Sequence, residues 1–416
     1  MRDDDRVVSQ VRLLTGRALD YDVVCEDCAE DAGSTGLIEI CEGCAERIAE
    51  DAADGSLSGW RGQPGVGERP EPVDPTVTEW VLPDGAGDVI DLVPGAPSTW
   101  LALTGDGRIL ALTPAERGVA VVASVALVAE PGHEPFEGHA LRHRLHASPG
   151  GRFAAVVNDY GRYGAVVDLE RGGAVTLELD GGDYHPETVP FALAFTRHGD
   201  RIAVIHRTAW NRLDVSDAET GQLLTPRTIE PITPGSLPEH HLDYFHGRLH
   251  LSPDGRWIAD DGWIWHPTGV PLVWDLRAWL DGATWEAEDG PSMRWLPQRD
   301  SYWNVPMCFV GTGMLAVSGI GSLRWAMLPG VRIFAAASGD EVTAFAGPTG
   351  ALFADRTRLY SAEPDGLHIW DPVTGHRTGR VPGITPSAHD RRGGFLIEVG
   401  ARALRWWRAV PVPAGR

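Results

Sequence analysis

The sequence predicts an all-β protein in which seven repeated strand units follow a small cysteine-paired module. Three observations carry this reading. The 50 glycines and 31 prolines are spread along all 416 residues, so the chain turns often and its elements are short. A strand–turn–strand unit recurs seven times after residue 76. Four of the five cysteines form two closely spaced pairs near the N-terminus.

Charge narrows the function classes first. All 36 basic residues are arginine, and they stand against 58 acids for a net −22. Binding phosphate backbones without sequence preference needs a basic surface, and adsorption to anionic lipid needs the same. The composition therefore speaks against both partners. With 43% apolar and 23% charged residues the chain belongs with folded proteins. No apolar run approaches the ~20 residues that span a bilayer. Met1-Arg2-Asp3-Asp4-Asp5-Arg6 is followed by no apolar stretch of the kind that marks secretion, so the expected location is the cytoplasm. Absence of lysine beside abundant arginine, alanine, glycine and proline fits a GC-rich bacterial genome.

The first element is the cysteine module, assigned to residues 1–58. Cys25, Cys28, Cys41 and Cys44 follow the pattern C-x2-C-x12-C-x2-C. Each pair places two sulfurs on one side of a tight knuckle, and two facing knuckles supply the tetrahedral four-sulfur cage that zinc prefers. Tyr21–Val24 and Leu37–Ile40 read as short partner strands, and 45–51 reads as a helix. Over about residues 20–54 the module resembles a zinc ribbon or treble clef. The resemblance implies one structural zinc ion on the four cysteines, in a coordinatively closed site. Two disulfides, a rubredoxin-like iron site and a dithiol redox pair are the alternatives to that reading. Residues 20–54 hold twelve acids and one base, Arg47. A module so acidic repels phosphate and suits either a basic protein surface or a purely stabilising cap.

Residues 59–75 contain four glycines and four prolines and read as a linker. Residues 76–416 carry the repeats. The best copies are Arg144-Leu145-His146-Ala147-Ser148-Pro149-Gly150-Gly151-Arg152 and Arg248-Leu249-His250-Leu251-Ser252-Pro253-Asp254-Gly255-Arg256, with a third at 192–205. The turn glycines fall at 107, 151, 199, 255, 313, 350 and 393. Downstream, an apolar strand ends in Trp-Asp at Trp370-Asp371 and Trp274-Asp275, with degenerate forms at Asp217 and Asp168.

On these motifs the region resembles the WD40-type β-propeller family, as a divergent bacterial member. The sequence departs from the family in having only two Trp-Asp pairs and no Gly-His opening to its repeats. The resemblance implies a seven-bladed β-propeller, and the physics agrees. A four-stranded blade is apolar on both faces and buries them only by stacking on neighbours. Closure assigns Thr76–Leu82 as the outer strand of the last blade, with Arg405-Trp406-Trp407-Arg408 in its third strand. At about 49 residues per blade the repeats exceed the usual ~40–45, so insertions are expected.

The longest insertion is assigned to 276–304. Eight of the sixteen tryptophans fall between 257 and 303. Trp257, Trp263, Trp265 and Trp274 sit in strand patterns and are expected to pack blades. Trp279, Trp285, Trp295, Tyr302 and Trp303 lie on the insertion and are the candidate partner-binding residues, because aromatics beside arginine make interface hot spots. Cys308 lies in an apolar strand and reads as a buried, inert thiol. Histidines bunch at 133–146 and 240–250, but their spacing fits no metal-ligand pattern. No nucleophile elbow or phosphate-binding loop is present.

The expected function is a non-catalytic protein-interaction scaffold or recognition subunit that binds protein partners, not nucleic acid or membrane. Two alternatives stand beside it. One is a hydrolase- or lyase-type propeller enzyme with a site at the channel mouth. The other, by analogy with the family, is a ligand sensor in a bacterial conflict or signalling system.

Overall fold

Seven antiparallel sheets follow one another along the chain, each a meander in which consecutive strands pair. This was established from a computed structural model, which describes residues 9–12, 37–40, 73–130, 139–228, 236–322, 324 and 327–409. The connectivity is that of a seven-bladed β-propeller, and it bears out the all-β expectation. Blades 1 to 7 are numbered here in chain order. Two compact units share them. One comprises Thr76–Trp265, Leu272–Met293 and Ile384–Arg416, and the other Met1–Pro75, His266–Pro271 and Arg294–Gly383.

The larger unit holds blades 1 (89–124), 2 (142–180) and 3 (193–217), the first two strands of blade 4 (Phe245–Leu251 and Trp257–Ile264), and blade 7 (388–408). Blade 7 takes its fourth strand from the start of the repeats: Thr78–Val81 pairs with Ala403–Arg408, Thr78 opposite Trp406 and Val81 opposite Ala403. The closing strand was legible as such in the sequence. It is anchored by Trp80, which is buried in one cluster with Trp100, Leu404 and Trp406. Blade 3 has three full strands, and its fourth is reduced to a bridge between Ser216 and Leu223.

The smaller unit holds blades 5 (307–346) and 6 (351–382), packed through Val331, Ile333, Phe345, Leu359 and Trp370. In the same unit Thr268 and Gly269 pair with Asp300 and Arg299. Second strands such as Phe153–Asp159 and Leu359–Glu363 are buried at every position. They are covered on both faces, so they read as continuous apolar runs instead of alternating ones.

Turn chemistry explains the repeat signature. Ser148 and Ser252 hydroxyls accept from the backbone N–H of Phe153 and Trp257, both at 2.9 Å, closing the turn between first and second strands. The acids ending the third strands cap the next turn: Asp371 accepts from Val373 N–H at 2.8 Å and Asp217 from Glu219 N–H at 2.9 Å. Their carboxylates thus serve local structure, which accounts for an Asp at that position with or without tryptophan before it.

Two repeat assignments need correction. Gly350 precedes the first strand of blade 6, Ala351–Ala354, so the copy built on it joins blades 5 and 6. The real first turn of blade 6 is Asp355–Arg358, where Asp355 caps Thr357 and Arg358. The copy whose turn glycine is Gly107 spans the second and third strands of blade 1, Trp100–Thr104 and Arg108–Thr113, not the first and second. Both slips have one cause, because hairpins at different positions in a blade use the same turn residues.

Strand Leu37–Ile40 forms as expected, and its antiparallel partner is Ser9–Arg12. Cys25, Cys28, Cys41, Cys44, the expected partner strand Tyr21–Val24, the helix at 45–51 and most of the linker lie outside the described residues.

Candidate partner-binding surface

The insertion aromatics divide between the two compact units. In the larger unit, Asp275 caps a short helix, Leu276–Leu280, by accepting from Ala278 N–H at 3.1 Å. That helix buries Trp279, 1% exposed, against Trp274 with ring centroids 6.1 Å apart. Burial removes Trp279 from the candidate set. Trp285 opens the next short helix, Glu286–Asp289, and stacks on His240 at 4.4 Å. The Arg227 guanidinium sits 5.4 Å from the centre of its ring, and Arg227 also pairs with Asp214 at 2.8 Å and with Glu288. Trp285 is therefore held by local packing.

Trp295, Tyr302 and Trp303 belong to the smaller unit. Trp295 is 47% exposed. Tyr302 and Trp303 are half-buried, and Tyr302 lies under the Arg299 guanidinium at 5.4 Å. Cys308 packs beside the blade 5–6 core and is half-buried, not fully buried as expected.

A different aromatic group in the larger unit meets the criteria better. Phe245 stacks on Trp263 at 4.1 Å with an interplanar angle of 7°. On this buried pair rest Tyr184, Trp210 and Trp265, their ring centres 5.9, 4.6 and 5.3 Å from Phe245. Tyr184 is 45% and Trp265 39% exposed. The sequence reading placed Trp265 among blade-packing residues. In fact it sits just beyond the strand Trp257–Ile264 and stays partly exposed.

The support beneath these rings is rigid. The Trp263 indole N–H donates to Thr188 Oγ1 at 3.2 Å, and the Thr188 hydroxyl donates to the His185 carbonyl at 2.8 Å. His185 has a left-handed backbone, φ +48°, and lies against Glu187 Oε1 at 2.9 Å. Behind the loop, Gly181 leaves no room for a side chain, since a Cβ there would meet Arg207 Nε at 2.6 Å. Arg207 is fully buried, donates to the Gly161 carbonyl at 2.8 Å, and is pushed down to about 10 by burial. Exposed tyrosine and tryptophan on a fixed base offer apolar area at small entropic cost, as interface anchors do.

Among the described residues no three His, Cys, Asp or Glu side chains converge in a way that could hold a metal ion. Among them, too, no helix is long and apolar enough to cross a membrane. A chain of the "Crystal Structure of Mitotic Checkpoint Complex" aligns over 84% of this chain and 96% of its own length, with 15% identity and a TM-score of 0.48. No family model and no curated protein matches the sequence.

Proposed function

We propose that the protein is a non-catalytic interaction scaffold or recognition subunit that engages a protein partner through the exposed face of Tyr184, Trp210 and Trp265. One observation carries the reading: two large aromatic side chains, 45% and 39% exposed, are held on a stack that is itself buried and hydrogen-bonded. Leaving such groups in water is unfavourable unless something covers them, and tyrosine and tryptophan are the residues that most often anchor protein interfaces. Trp295 in the smaller unit is a second, separate candidate contact.

The N-terminal module is proposed to carry one structural zinc on Cys25, Cys28, Cys41 and Cys44. Its support is the ligand spacing, together with a strand, Leu37–Ile40, that leads directly into Cys41. The module's acidity favours a basic surface on whatever it touches. A cytoplasmic location completes the reading.

The test is affinity capture with the full chain and with a Tyr184→Ala/Trp265→Ala variant, using Val121→Ala, at an exposed valine of blade 1, as a control. Partner recovery should be lost in the double variant and kept in the control. Equal recovery from all three proteins refutes the assigned surface.

A further inference from the structure

The rings of the exposed aromatic group are set at angles that favour one kind of visitor. Tyr184 lies nearly parallel to Phe245, at 16°, whereas Trp265 stands at 84° to Phe245 and at 70° to Tyr184. Trp210 leans against Tyr184 at 5.3 Å, and the His185 ring meets Trp265 at 5.6 Å and 85°. The ring faces therefore turn in more than one direction around a corner that Tyr184 and Trp265 leave exposed to solvent. The face of an aromatic ring is electrically negative and its edge positive, so faces meeting at a corner attract a cation.

Elsewhere the chain meets that attraction from within. Nine arginine guanidiniums among the described residues lie over ring faces, at 4.6 to 5.6 Å from the ring centres. Arg152 over Phe153, Arg256 over Trp257 and Arg332 over Phe334 are examples. None of the nine covers Tyr184, Trp210, Phe245 or Trp265. These rings face solvent with no cation of their own among the described residues.

The charges around the corner point the same way. The arginines of its supporting elements are already matched by carboxylates. Arg162 donates to both oxygens of Asp180, at 2.6 and 2.8 Å, and Arg212 pairs with Asp214 at 2.8 Å. Arg207 is buried behind the loop, where it faces Asp159, Asp260, Glu130 and Asp180. Three further carboxylates border the rings. Asp183 adjoins Tyr184, is 86% exposed and reaches Arg162 only at 4.0 Å. Glu187 touches the His185 ring, and Asp243 is exposed two residues before Phe245. The rim of the corner is thus acidic, which repels phosphate and favours a basic visitor over an apolar one.

We propose that the corner between Tyr184 and Trp265 receives an arginine side chain from a basic segment of the protein partner. A guanidinium is planar and weakly hydrated, so it lies flat on an aromatic face while its outer N–H groups remain free to donate to carboxylates at the rim. A lysine ammonium is compact and strongly hydrated, and it gains less from the same rings. The inference rests on the reading of this face as a docking surface, and it adds what docks there.

The test titrates the full-length protein into a dye-labelled peptide, Gly-Arg-Gly-Arg-Gly with blocked ends, and follows fluorescence anisotropy at low salt. A second peptide carries citrulline in place of arginine, which keeps the shape and removes the charge. The arginine peptide should bind saturably and about tenfold or more tighter than the citrulline peptide. Trp265→Leu keeps apolar area but removes the ring, and should weaken the arginine peptide by about fivefold or more; Trp265→Phe restores a ring and should recover most of that loss. Asp183→Asn/Glu187→Gln/Asp243→Asn should weaken it by a similar factor and flatten its dependence on salt. Equal binding of the two peptides, a Trp265→Leu protein that binds as well as Trp265→Phe, or an acid variant that binds as well as wild type overturns the proposal. Capture of the partner separates this failure from that of the docking face. Partner lost with Tyr184→Ala/Trp265→Ala while the two peptides bind alike removes the arginine and keeps the face. Partner kept by that double variant removes the face and the arginine with it.

Discussion

Acid should unfold this protein partly through His146 and His250. Both are held near 3 in the folded chain, against an ordinary histidine value of about 6.5. His146 faces Arg144, Arg248 and Asp159, and His250 faces Arg248 and Arg144. In both cases burial is the leading cause and the arginines add to it. Below about pH 6.5 the unfolded chain takes up protons at these positions while the folded chain does not. Stability is therefore fullest above that pH and is lost as pH falls towards 3. At about pH 5 the loss is about 2 kcal/mol per histidine, or about 4 kcal/mol for the pair. Urea unfolding at about pH 7.5 and about pH 5 measures it, comparing wild type with His146→Gln/His250→Gln. Other titrating groups largely cancel in that comparison. The wild type should lose about 4 kcal/mol more than the variant between the two conditions. Equal losses would refute the claim that these imidazoles are folded in the neutral state.

Three further outcomes follow from packing, capping and the metal module. Trp80→Ala should cost about 3–5 kcal/mol, read by denaturant unfolding, because it empties the anchor of the strand that completes blade 7. Asp275→Ala should cost about 1–2 kcal/mol, since it removes a helix cap and the Arg256 partner at 3.2 Å together. Purified wild type should carry one zinc per chain by metal analysis, and Cys41→Ser should lose it; a metal-free wild type would remove the zinc proposal.

Much of the fold could be read from local patterns, because the features that define a blade are local. A serine that closes a turn, an aspartate that caps the next, and an apolar strand between them leave their mark within about ten residues. Even the closure of blade 7 was legible, since Trp80 and Trp406–Trp407 stood out as strands lacking partners. The errors have the same origin. Gly350 and Gly107 occupy turns chemically like those between first and second strands, and local chemistry does not say which hairpin a turn closes. The fourth strand of blade 3 shrinks to a bridge at Leu223 without any break in composition to announce it.

The candidate surface was hidden for a different reason. Tyr184, Trp210 and Trp265 come from three separate connections and are brought together over Phe245 and Trp263, where Tyr184 also meets Trp210 at 5.3 Å and Trp265 at 6.2 Å. Tryptophan density drew attention to 276–304 instead, where Trp279 is spent on the core.

The most direct test of the account is the affinity of a captured partner for the full chain and for the Tyr184→Ala/Trp265→Ala variant, measured by calorimetry. The account predicts that the variant stays folded and binds at least about 30-fold more weakly, the loss of roughly 2 kcal/mol or more expected when interface anchors are truncated. A folded variant that binds the partner as tightly as wild type would contradict it.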